Sequence, residues 1–423
     1  MPRLSGSGGL NLLQGARNRW HDALRLTTGQ PQPGLKNFCP GKEVAVTPGQ
    51  VVFRNHWIEL IQYSLQTPTV FAEPVLIVPS WISKYYILDL SPGNSLLRYL
   101  VEKSHMVFIV SWKNPDAADR DLGMNDYLKA GAMAALDAVS AIIPDARIQA
   151  LGYCLQGTLL AIAAAFMAGK HDERPASLTL LASETDVAAP GELGLFIDNS
   201  QLAFLDALMA RKGYLAGKQM ASAFALLNSR DLVWSRMVQD YLLGRSQPVS
   251  DLTAWNLDAT RMAYRQHSEY LHQLYLDNDL AQGRCQVDGQ AVLLFDIGVP
   301  VFVLGTRRDT VSPWRSVYQF IWLTPGEATF CLTSGGHNIG VVNPRGPGAK
   351  RYYQLATRAA CAQLIDADSW LASAPEHPGS WWPALADWLG QQASGRTDPP
   401  TIGNPARGYP ALEDAPGSYV LIP

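Results

Sequence analysis

A cysteine at the apex of a sharp turn is the first chemically suggestive feature of this chain. The stretch Arg147-Ile148-Gln149-Ala150-Leu151-Gly152-Tyr153-Cys154-Leu155-Gln156-Gly157-Thr158-Leu159-Leu160 opens with alternating polar and apolar residues. It turns at Gly152–Gly157 and runs into Leu159–Ala168, where Ala and Leu favour helix. Strand, tight turn and helix together make a nucleophile elbow, in which a strained turn lifts one side chain above the sheet. A thiol there benefits twice. The following helix directs its positive end at the sulfur, which favours thiolate. The N–H of Leu155 can point at an oxyanion.

A thiol nucleophile needs a base and a group to orient that base. After the apolar run Pro300–Leu304 comes Gly305-Thr306-Arg307-Arg308-Asp309-Thr310-Val311-Ser312-Pro313-Trp314. After Ala328–Leu332 comes Ser334-Gly335-Gly336-His337-Asn338-Ile339-Gly340. Read alone, Cys154 is a small buried apolar residue, Asp309 a turn or capping acid, and His337 an ordinary loop histidine. Read together, each follows a strand, in the order nucleophile, acid, base. That is the chain order of α/β-hydrolases. His21, His56, His171 and His377 have no such placement and read as surface; His267 and His272 read as structural or substrate-lining.

The elements that must carry these residues alternate. Val51–Leu65 reads as strand material, and Val75–Val78 as a strand buried on both faces. Asn94–Lys103 reads as helix, Met106–Trp112 as strand, Met124–Ile143 as a long helix and Leu178–Ala182 as strand. This describes a largely parallel α/β sheet. From Gly191 to Gln290 the pattern turns helical and rich in aromatics, among them Phe196, Phe204, Tyr214, Phe224, Trp234, Tyr241, Trp255, Tyr264, Tyr270 and Tyr275. It reads as an inserted cap that splits the sheet domain. The resulting division is a lead at 1–49 containing a helix over Asn11–Leu26, a core at 50–190, a cap at 191–290, a second core part at 291–395 and a Gly/Pro-rich, loosely structured arm at 396–423.

Composition narrows the function. The 423 residues are 47% hydrophobic and 17% charged, which fits a globular protein with a large core. A net charge of -3 gives no reason to expect a nucleic-acid partner. No apolar run reaches membrane-spanning length, and Met1–Gly9 lacks the pattern of a secretion signal. The five cysteines are scattered without Cys-x-x-Cys spacing, so neither a disulfide framework nor a zinc site is suggested. A reducing cytoplasm is the simplest home.

The chain resembles the catalytic domain of the polyhydroxyalkanoate synthases, closest to the short-chain, class I-like type. The matching segments are Val78-Pro79-Ser80-Trp81-Ile82-Ser83-Lys84-Tyr85-Tyr86-Ile87-Leu88-Asp89-Leu90, Val110-Ser111-Trp112-Lys113-Asn114-Pro115-Asp116 and Gly152-Tyr153-Cys154. Asn228-Ser229-Arg230-Asp231-Leu232-Val233-Trp234, Val311-Ser312-Pro313-Trp314 and Gly336-His337 with Val342-Asn343-Pro344 also match. So do Gly379-Ser380-Trp381-Trp382-Pro383 and Pro416-Gly417-Ser418-Tyr419-Val420.

The resemblance implies an α/β-hydrolase fold with a predominantly parallel sheet and a large inserted helical cap. It implies an acyltransferase that joins 3-hydroxyacyl units from coenzyme A thioesters into a polyester. Cys154 would be the nucleophile, His337 the base and Asp309 its orienting acid, with the N–H groups of Leu155 and Ile82 as oxyanion donors. No metal or redox cofactor is implied; the coenzyme A thioester is substrate. The implied partners are 3-hydroxyacyl-CoA, the growing polyester, a second copy in a homodimer and granule-associated proteins, at a granule surface in the cytoplasm.

Three departures stand out. Gln156 replaces the first of the family's paired glycines, Thr310 replaces the histidine that usually follows the acid, and the family's large amino-terminal domain is represented only by a short lead. These leave two other readings open: a thioesterase or polyester hydrolase on the same triad, and a catalytically weak paralogue that partners a synthase or coats granules.

Overall fold

A computed structural model describes residues 9–28, 30, 32–220, 234, 237–245, 248–344, 346 and 351–423. Its frame is one sheet of eleven strands, which we number in chain order: β1 Gly49–Arg54, β2 Ile58–Tyr63, β3 Val75–Val78, β4 Val107–Trp112, β5 Ile148–Tyr153, β6 Pro175–Leu181, β7 Val301–Thr306, β8 Ala328–Thr333, β9 Tyr352–Arg358, β10 Glu376–Pro378 and β11 Glu413–Asp414. The spatial order is β10-β9-β8-β7-β6-β5-β3-β4-β2-β1-β11. The six central strands from β8 to β4 pair in parallel; the flanking pairs are antiparallel. Crossover segments cover both faces, so the central strands are buried throughout and read as near-continuous apolar runs. An α/β sheet with an inserted cap is therefore observed as expected.

Several elements differ from the sequence reading. Val51–Leu65 is two antiparallel strands, because the Asn55 side-chain oxygen accepts from the N–H groups of Trp57 and Ile58 at 2.7 and 2.9 Å and turns the chain. Within Met124–Ile143, residues Tyr127–Met133 are wound as π-helix. Gly131 there lies against Trp112, where a Cβ would come within 2.2 Å of the ring.

The tail is not loose. β11 pairs with β1, and the buried Glu59 carboxylate accepts from the N–H groups of Ser418 and Tyr419 and from the Ser418 hydroxyl. Composition gave no hint of this, because the partners lie at the opposite end of the chain.

The described part of the cap is mainly helical, including Asn199–Lys212, Asp251–Leu257 and Tyr264–Glu269 followed by a π-helical Tyr270–Leu276, with a short strand pair Tyr214–Leu215 and Met262–Ala263. Phe224 and most of the Asn228–Trp234 segment lie outside the described residues. The cap is fastened to the loop after β3: Ser83 bridges Ala259, the Trp255 indole N–H donates to the Lys84 carbonyl at 2.7 Å, and the Tyr86 hydroxyl donates to Asp258 at 2.9 Å. No helix among the described residues is long and apolar enough to cross a membrane.

Candidate active site

Five neighbouring parallel strands, β3, β5, β6, β7 and β8, end at the same edge of the sheet. Ligands of open α/β sheets bind at this carboxyl edge. Cys154 leaves β5 there with φ 57° and ψ −129°, a conformation that non-glycine residues rarely adopt. The helix Leu155–Gly169 begins at the next residue. Two glycines permit the turn. A Cβ on Gly152 would meet the Gly157 Cα at 2.5 Å, and a Cβ on Gly157 would meet the Ser183 hydroxyl at 1.9 Å. Helix and strands therefore approach at backbone distance, which lifts the thiol out of the turn.

Gln156 enters the regular helix without breaking it and is fully buried. Neither atom of its amide has a hydrogen-bond partner among the described residues. Thr310 lies half-buried beside Asp309.

Asp309 follows β7 and is held by four donors. Oδ1 accepts from the N–H groups of Val311 and Ser312, each at 2.9 Å. Oδ2 accepts from the Thr306 hydroxyl at 2.8 Å and lies 2.8 Å from His337 Nδ1. His337 follows β8 and starts the short helix His337–Val341. Its ring stacks on Tyr153, with centroids 5.7 Å apart, and Cys154 lies near enough to influence it electrostatically. The side chains of Cys154, Asp309 and His337 thus converge. Burial by itself lowers the pKa of His337; the Asp309 carboxylate and Cys154 outweigh burial and hold the imidazole well above its ordinary range.

The histidine loop has its own supports. The indole N–H of Trp381 donates to the Gly340 carbonyl at 2.9 Å and that of Trp382 to the Val341 carbonyl at 3.1 Å. Asn343 donates to Thr333 at 3.0 Å. The Tyr153 hydroxyl donates to Asn338 at 2.7 Å. The Gly-Ser-Trp-Trp and Val-Asn-Pro segments therefore act through the position of one imidazole.

The two oxyanion candidates lie on neighbouring segments of the same sheet edge. Leu155 heads the elbow helix, whose first N–H groups have no intrahelical acceptor. Ile82 lies in the loop after β3, the strand beside β5. That loop is anchored from below as well, since Lys84 donates to the Val420 carbonyl at 2.9 Å.

One residue of the site was not singled out from sequence. Glu184, two residues past Ala182, is buried and accepts from the Tyr275 hydroxyl at 3.1 Å. Burial pushes its carboxyl well above the usual range, and Asp309 adds to the effect. The signal was available, because an acid just past a central parallel strand is the same feature that marked Asp309. Of the histidines set aside, His56 pairs with Asp119 at 2.7 Å and His272 with Asp206 at 3.0 Å; His267 is buried. Among the described residues no group of three or more His, Cys, Asp or Glu is placed to hold a metal.

Comparison with known proteins follows the same lines. Residues 2–100 match the family model described as the amino terminus of poly-beta-hydroxybutyrate polymerase, and residues 73–344 match the alpha/beta hydrolase fold. The lead expected at 1–49 and the first strands of the core thus both fall within what the first model matches. The chain is 41% identical to a poly(3-hydroxyalkanoate) polymerase of Methylorubrum extorquens, covering 98% of this chain and 68% of that protein. It is 37% identical to a poly(3-hydroxyalkanoate) polymerase subunit of Rhizobium meliloti, covering 98% and 67%, and 38% identical to that of Cupriavidus necator, covering 98% and 70%. The chain thus spans about two thirds of these relatives' length. A solved monoacylglycerol lipase from Paleococcus ferrophilus overlays with a TM-score of 0.45 at 13% identity, covering 79% of this chain and 100% of that one.

Proposed function

The chain belongs to the poly(3-hydroxyalkanoate) polymerase family, and from that premise we propose that it polymerises (R)-3-hydroxyacyl-CoA thioesters through a covalent acyl-cysteine. The observation that carries this reading is the imidazole of His337, held between the Asp309 carboxylate and the Cys154 thiol. In the proposed reaction, His337 takes the proton of Cys154 and the sulfur attacks the thioester carbonyl. The bond to coenzyme A sulfur breaks, and His337 returns the proton to the departing thiolate. Exchange of one thioester for another is close to balanced in energy, so the barrier is dominated by charge on the carbonyl oxygen. The N–H groups of Leu155 and Ile82 are assigned to that oxygen.

In the second half, the 3-hydroxyl of the next 3-hydroxyacyl-CoA gives its proton to His337 and attacks the acyl-cysteine. An ester forms, the Cys154 sulfur leaves and recovers the proton, and the lengthened CoA thioester recharges Cys154. Asp309 orients the imidazole and offsets its charge in both halves. Each step is redox-neutral and every proton moves between named groups, so the reading calls for no metal or redox cofactor. Trp81, packed ring against ring with Tyr127 and with Tyr270 of the cap, supplies the water-poor surroundings that protect an acyl-enzyme from hydrolysis. A homodimer and a polyester granule surface in the cytoplasm, with any granule-associated proteins, belong to the same proposal. The exposed Leu10, Leu13 and Trp20 of the helix Leu10–Thr28 offer apolar contacts for either surface.

The test is release of coenzyme A from (R)-3-hydroxybutyryl-CoA by the purified chain, with the product identified. Polymer is expected, and loss of release in Cys154→Ala. Free 3-hydroxybutyrate in place of polymer would make the chain a hydrolase. A rate equal to that of the alanine variant would make it a catalytically weak partner of a synthase.

A further inference from the structure

Glu184 flanks the elbow on the side opposite Ser80–Ile82, because β6 and β3 border β5 on its two sides. The residue is 4% exposed. Its carbonyl accepts from the Thr158 hydroxyl at 2.6 Å, which fixes it to the elbow helix. One carboxyl oxygen, Oε2, accepts from Tyr275; the other, Oε1, has no hydrogen-bond partner among the described residues. The ring of Tyr275 packs on Tyr270 with centroids 5.2 Å apart, and Tyr270 meets Trp81 edge-on at 6.0 Å. An arc of side chains therefore runs from the loop after β3 to Glu184. The electrostatic influence of Cys154 reaches both tyrosines, and that of His337 reaches Glu184.

Buried polar atoms in proteins are nearly always paired. Several exceptions are scattered through the molecule, and four of them, Trp81 Nε1, Ser80 Oγ, Thr185 Oγ1 and Glu184 Oε1, lie on the two segments that flank the elbow. Glu184 Oε1 stands out among them as a carboxyl oxygen beside the elbow, free to meet a guest.

We propose that Glu184 is a specificity-determining residue, its Oε1 side meeting the 3-oxygen of the acyl unit on Cys154, so that the site selects 3-hydroxyacyl over plain acyl thioesters. The assignment rests on the polyester-forming reading above. Burial, with the nearby Asp309 adding to it, favours the protonated carboxyl, which is a donor. It serves a 3-oxygen equally well as free hydroxyl or as ester. A site built to pair a substrate oxygen penalises the analogue that lacks it, because its own buried group is then left unpaired.

Single-turnover release of coenzyme A from (R)-3-hydroxybutyryl-CoA and from butyryl-CoA tests this in the full chain. The wild type is expected to prefer the hydroxylated thioester by at least about 100-fold. Glu184→Gln, whose amide still donates, keeps most of that ratio, and Glu184→Leu collapses it to within about tenfold of unity. No release from either thioester by the wild type would sink the polyester-forming reading itself. Wild-type release from both at equal rates would leave that reading standing and overturn this assignment. An unchanged ratio in the leucine variant, or an equal collapse in both variants, overturns it too. Where Glu184→Leu does not fold, Glu184→Asp, which withdraws the carboxyl by one methylene, carries the same test, and an unchanged ratio again overturns the assignment.

Discussion

His337 Nδ1 lies 2.8 Å from Asp309 Oδ2, and three further donors, Thr306 Oγ1 and the N–H groups of Val311 and Ser312, fix that carboxylate in place. That contact fixes the orientation of the ring, and both Asp309 and Cys154 favour its charged form. Asp309→Asn keeps the volume but removes the charge and reverses one hydrogen bond. It is expected to lower the rate of coenzyme A release on the order of 10³- to 10⁴-fold with little change in KM. Steady-state kinetics on (R)-3-hydroxybutyryl-CoA checks this; a loss under tenfold would remove Asp309 from its proposed role.

The elbow depends on the missing side chain of Gly157. In Gly157→Ala the new Cβ would fall 1.9 Å from Ser183 Oγ and 2.6 Å from Ser183 Cβ. Overpacking of this kind costs about 1–3 kcal/mol. Chemical denaturation should record that loss, and adding Ser183→Gly should recover part of it. A double variant no more stable than the single one would place the strain elsewhere.

Gln156 buries an amide with no partner among the described residues. Gln156→Met keeps an unbranched side chain of similar size and removes both polar groups. A gain of about 1–2 kcal/mol is expected, read as a rise in thermal midpoint of a few degrees. A fall in midpoint would mean that the amide is satisfied in solution.

Glu184 ties stability to pH. Its carboxyl is raised in the folded chain, so the native state holds the proton after the unfolded state has released it. Stability is then full below the ordinary carboxylate range and declines as pH rises through the interval up to the raised value. Glu184→Gln removes that decline. Its thermal midpoint relative to wild type should therefore climb between pH 5 and pH 8. A difference independent of pH would show that the carboxyl ionises normally.

Truncation after Ala415 strips three donors from the buried Glu59 and two acceptors, the Val420 and Ile422 carbonyls, from Lys84. Leaving a buried carboxylate short of partners costs about 3–5 kcal/mol. The truncated chain should denature at lower urea than the full chain. Slower coenzyme A release should accompany this, since Lys84 steadies the loop holding Ile82.

The sheet and the position of the thiol were legible because they rest on local pattern. Apolar runs such as Val75–Val78 and Val301–Leu304 announce parallel strands, and Gly152 and Gly157 announce a turn around Cys154. The positions of Asp309 and His337 could be read because each follows such a run. Glu184 was missed because Ser-Glu-Thr-Asp reads as a polar loop, and its burial comes from cap tyrosines about 90 residues away. The π-wound Tyr127–Met133 was not visible either, since winding there follows the packing of Gly131 on Trp112 and leaves no mark on apolar periodicity. The anchoring of the tail depends on Glu59, 359 residues upstream, which no local window reaches.

The pairing of β11 with β1 sets a timetable for biosynthesis. Gln50 bonds to Asp414 across 364 residues, so the outer edge of β1 does not gain this partner until the segment around Asp414 has been made. An uncovered edge invites pairing with another chain. A nascent molecule thus carries an uncovered edge in β1 throughout synthesis of the intervening segment, and pairing with β11 ends that exposure.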